Sequence, residues 1–77
     1  MTLELPRPIV PRYPAEDYRK AAQKYRDDAT AMRWQQQQAV AAGHLQQAAR
    51  YNLGIAAMDA AAETHLALAN EAERRGM

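Results

Sequence analysis

Tyr18, Ala22, Tyr25, Ala29 and Met32 follow one another at alternating steps of four and three residues. A helix with that spacing carries one narrow apolar stripe and has to bury it against another helix. Ala48, Tyr51, Ile55, Met58, Ala62, His65, Ala69 and Ala72 repeat the pattern further along. Between the two stripes lies Ala42-Gly43-His44, and glycine suits the left-handed residue that closes a helix. The expectation is an all-α fold: an antiparallel two-helix hairpin with helix 15–42, a turn at 43–44 and helix 45–75. The rival is one continuous helix, because a single glycine costs only about 1 kcal/mol. A hairpin is favoured since a short connection lets each stripe bury the other.

Residues 1–14 are of a different kind. They hold all four prolines, at positions 6, 8, 11 and 14, which forbid helix and favour an extended path. Leu3, Leu5, Ile9 and Val10 are poor choices for a solvated linker, so this arm is expected to lie in a groove or on a neighbour; a frayed terminus is the plain alternative. Pro14 then opens the first helix, followed by Glu16 and Asp17 at the positive end of its dipole.

The second helix is apolar on more than one side. Leu53, Ala57, Ala61 and Leu68 trace a line away from the first stripe, and a helix with two apolar faces expects two neighbours. Seventy-seven residues bury too small a share of their surface for a sturdy isolated core. The hairpin is therefore expected to be completed into a helical bundle, by a second copy or by a foreign protein. Leu5, Ile9, Val10 and Trp34 join Leu53, Ala57, Ala61 and Leu68 as candidate partner-binding residues, Trp34 because a pocketed tryptophan dominates interface energetics.

Arg12, Arg19, Arg26 and Arg33 recur every seven residues. The last three flank the Tyr18–Met32 stripe, so they are expected to form a charge zipper across the hairpin, with Arg26 near Asp59 and Glu63 and Arg19 near Glu71. The alternative is a phosphate-contacting stripe of Arg19, Lys20, Lys24, Arg26 and Arg33. Ten basic residues against nine acidic ones make nucleic acid the weaker partner. Gln36, four after Met32, falls on the stripe and is a candidate polar register device.

The inventory points away from an enzyme. Serine and cysteine are absent, and there is no glycine-rich phosphate loop. His44 and His65 lack convergent partners, so neither metal nor cofactor is expected and His65 reads as a packed side chain. No run approaches the 18 apolar residues of a membrane span, and no basic-then-apolar leader pattern is present, so a cytoplasmic protein or a part of an assembly formed there is expected. Ala49-Arg50-Tyr51-Asn52-Leu53-Gly54-Ile55-Ala56 resembles the first-helix signature of tetratricopeptide repeats; the likeness spans these residues alone and has no second copy. The reading as a whole is a small helical adaptor, assembly or inhibitor protein, of the kind found as particle subunits or encoded by phages.

Overall fold

The structure, a computed structural model, describes residues 10–77. Leu5 and Ile9 lie outside the described residues. Two helices and no strand make up what is described: α1, Ala15–Ala41, and α2, Leu45–Arg74. They pack against each other as a hairpin and not as one long rod.

Each helix ends on a glycine for the same reason. Gly43 has φ of 78° and Gly76 has φ of 74°, a region that L side chains rarely enter. After α1, the His44 N–H donates to the Ala39 carbonyl at 2.8 Å and the Gly43 N–H to the Val40 carbonyl at 3.0 Å. After α2, Met77 donates to Ala72 at 2.9 Å and Gly76 to Glu73 at 3.1 Å. Both are Schellman closures, which use carbonyls that a helix end would otherwise leave unpaired. The first of them reverses the chain.

At the other end, Pro14 sits just before α1 with φ −59° and ψ 151°, and its carbonyl accepts from the Asp17 N–H at 3.0 Å. The Arg12 N–H donates to the Tyr18 hydroxyl at 2.8 Å, and the Tyr13 ring meets the Tyr18 ring edge-on at 5.9 Å. The segment before α1 is thus fastened to the open end of the hairpin. Pro11 is buried there and Val10 is exposed. Trp34 lies sixteen residues along α1 from Tyr18, about 24 Å at 1.5 Å per residue, so Val10 does not cover it.

The seam runs the whole length of the hairpin. In α1 it consists of Ala15, Tyr18, Ala22, Tyr25, Ala29, Met32, Gln36 and Ala39, all buried or half-buried, at unbroken three–four spacing. In α2 it consists of the eight residues from Ala48 to Ala72 named from the sequence. Within the two helices the buried apolar side chains are eight alanines together with Tyr18 and Ile55. Alanines at 15, 22 and 29 on α1 and at 48, 62 and 69 on α2 let the two helix backbones approach closely, but they remove little apolar area from water. The result is a tight, thin interior.

Gln36 occupies a half-buried seam position and donates from Nε2 to the Ala48 carbonyl at 2.9 Å and to Asn52 Oδ1 at 2.6 Å. A polar side chain that pairs only in one alignment fixes register as well as adding a contact.

Candidate protein-interaction face

The two long sides of the hairpin differ in chemistry. One is charged. Arg33 donates from Nη2 to Asp59 Oδ2 at 2.5 Å, and Arg19 makes the equivalent bond to Glu73. The zipper forms, though not between the residues expected. Arg26 does not take Asp59 or Glu63, and Arg19 takes Glu73 instead of Glu71. Side chains on a helix lean toward its N-terminus. In an antiparallel pair the arginines of α1 therefore lean toward the open end and the acids of α2 lean toward the turn. Each arginine consequently reaches an acid several residues beyond its level neighbour. Glu71 belongs to a local cluster at the end of α2, accepting from Arg74 Nη2 at 2.5 Å and Arg75 Nε at 3.0 Å. Those bonds, that from Arg74 first, hold the Glu71 carboxyl below its ordinary pKa.

The candidate phosphate-binding residues are largely spoken for. Arg19 and Arg33 are in the zipper, and Lys20 meets Glu16 at 3.3 Å within α1. Lys24 and Arg26 make no ion pair among the described residues. The stripe is interrupted by its own counter-charges.

The opposite side carries small and apolar residues of α2 among polar ones. Gln47, Gly54, Ala61 and Leu68 form a column at seven-residue spacing along α2, beside the seam. Gly54, Ala61 and Leu68 are half-buried. A Cβ placed on Gly54 would stand 3.1 Å from the Met32 Sδ, so a side chain there would require the Met32 thioether to shift by a few tenths of an ångström. Beside it is an open hollow of about 360 Å³ lined by Met32, Gln47, Arg50, Tyr51 and Gly54. A second hollow of about 340 Å³ adjoins it toward the turn, between Trp34 and Gln38 of α1, Ala42 just after it, and Gln47 and Tyr51 of α2.

The candidate partner-binding residues are arranged as follows. At 100° per residue, Leu53, Ala57, Ala61 and Leu68 fall within about 80° of arc on α2, which makes them one face. Leu53 is 82% exposed, Trp34 62%, and Ala57 is also exposed. Leu68 packs partly on the cluster of Ala15, Tyr18, Ala69 and Ala72. Trp34 borders the second hollow on the same side. Sequence reasoning missed Met32, Tyr51 and Gly54 as the walls of a hollow. The only available signal was the seven-residue spacing of Gly54 with Ala61 and Leu68.

His65 is half-buried between the rings of Tyr25 at 5.1 Å and Tyr18 at 6.2 Å, and its Nδ1 lies 2.7 Å from the Ala61 carbonyl. No group of three or more potential metal ligands occurs among the described residues. No helix among them is long and apolar enough to cross a membrane. No protein-family model, curated protein or solved structure matches the chain.

Proposed function

We propose that this chain is a non-enzymatic protein–protein interaction module, a small helical assembly, adaptor or inhibitor protein whose hairpin is completed by another protein surface. The observation that carries the reading is the mismatch between interior and exterior. The interior is sealed by alanines, whereas Trp34, Val40, Leu45 and Leu53 are each more than half exposed. Large apolar side chains contribute most of the stabilisation available from burial, and here several of them remain in water. Leu53, Ala57, Ala61 and Leu68 share one face of α2, and apolar surface gathered on one face marks a place for a partner. Leu53 and Leu68 on α2 are the main contacts of that surface, with Trp34 at its edge.

Melting followed by far-ultraviolet circular dichroism from about 5 to about 500 µM tests the reading, because association stabilises by mass action. A midpoint that rises with concentration is expected. Low helicity in isolation also agrees with it, since the second surface is then foreign. A fully helical chain with one fixed midpoint over that range contradicts it.

A further inference from the structure

We infer that the partner on the small-residue side is a second copy of this chain, laid antiparallel across it with a two-fold axis passing between the two Ala61 residues. The inference rests on the interaction-module reading and specifies its partner and geometry.

The argument is that this side is complementary to itself. A two-fold axis at Ala61, running across the helices, brings each α2 residue opposite the one equally far on the other side of Ala61. Gly54 stands seven residues before Ala61 and Leu68 seven after it. The axis therefore sets the partner's Leu68 over Gly54, beside the open hollow walled by Met32, Arg50 and Tyr51. A large apolar side chain meets the one residue in that column that lacks a side chain.

The charges agree. Arg50 lies eleven residues before Ala61 and Glu71 ten after, on one helical edge, so Arg50 comes opposite the partner's Glu71 and adds a third cation to the pair it already holds, Arg74 and Arg75. Isologous contact makes this pair occur twice.

Area and exclusion point the same way. Two helices side by side present a face of about 45 by 18 Å, on the order of 800 Å² per copy, the size of a standard stable interface. The opposite side is committed to the arginine zipper with Asp59 and Glu73 and offers no such apolar column.

Charge exchange tests the geometry directly. Arg50 and Glu71 are 21 residues apart on one helix, about 31 Å, so they cannot meet within a chain. With each contact doubled by symmetry, Arg50→Glu should weaken dimerisation about tenfold, and adding Glu71→Arg should restore it to within about threefold of the starting value. The sequence has no cysteine, so Ala61→Cys supplies a lone thiol on the axis. It should oxidise to a disulfide-linked dimer, whereas Glu63→Cys, on the charged side, should not. A wild-type dimer whose Ala61→Cys form stays unlinked and whose charge exchange fails to rescue overturns this geometry and leaves the module reading standing. A poorly helical monomer at about 500 µM likewise overturns only the geometry, since the second surface is then foreign. A fully helical, stable monomer overturns both.

Discussion

The Tyr18 hydroxyl accepts a hydrogen bond from the Arg12 backbone N–H at 2.8 Å, and this contact fastens the proline-bearing segment to the open end of the hairpin. Tyr18 also belongs to the seam, so one side chain serves both the packing of α1 on α2 and the docking of what precedes them. Tyr18→Phe keeps the ring and removes the acceptor. One hydrogen bond contributes about 1 kcal/mol net, equivalent to roughly 4–8 °C in a domain of this size. The expected outcome is a drop of that order in the melting midpoint, with faster amide exchange at Arg12 and an unchanged helical signal. Unchanged exchange at Arg12 would show that the bond does not hold the segment.

Gly54 separates the stability of the hairpin from its association. Gly54→Ala gains about 1 kcal/mol of helix propensity, and the added methyl meets only the Met32 thioether, the far end of a flexible side chain that can move by a few tenths of an ångström. The same methyl intrudes where the partner's Leu68 is placed. Higher helicity at low concentration together with a weaker dimer is expected, read by circular dichroism and sedimentation. A variant that gains in both would remove the assigned role of Gly54.

Glu71 gives the fold an acid-sensitive end. Its carboxyl is held below its ordinary value of 4.5, first by the Arg74 hydrogen bond and then by Arg75. A depressed folded pKa contributes stability above the unfolded value, and that contribution is lost as pH falls through the folded value. The expected observation is a Glu71 side-chain titration by nuclear magnetic resonance with its midpoint below 4.5, moving upward in Arg74→Gln. A midpoint at or above 4.5 would mean that the pairs are not formed in solution.

The arginine stripe is expected to act within the chain. Arg33 and Asp59 have side chains about half exposed, so Arg33→Ala should cost no more than about 1 kcal/mol, and less in high salt. With Arg19 and Arg33 engaged, a gel-shift titration at low salt should detect no binding to duplex or single-stranded nucleic acid. Binding that weakens steeply with added salt would reinstate a phosphate-contacting role for Lys24 and Arg26.

The parts of this fold that could be read from the chain are those set by local rules. Three–four spacing marks the seam because only residues so spaced share one helical edge, and Gly43 marks the turn because the closure needs a positive φ. The partners of Arg19 and Arg33 were not legible by counting residues to the same level. They depend on the opposite lean of side chains on antiparallel helices, which offsets each pair along the axis. The hollow beside Gly54 was hidden for a similar reason, since its walls come from Met32 on one helix and Tyr51 on the other. Leu53 and Trp34 stood out in the sequence as apolar residues off the stripe, and a hairpin with a single seam has no interior place for them.

The most direct test of the central claim, that a second protein surface completes the hairpin through the outer line of α2, is light scattering during size exclusion. The wild-type chain and the Leu53→Glu/Leu68→Glu double variant would be compared, with circular dichroism taken on the same fractions. The account predicts a helical wild-type species of twice the 8.6 kDa chain mass and a variant that falls to the single chain mass while keeping part of its helix. A fully helical wild type at 8.6 kDa, or a variant whose mass does not change, would contradict it.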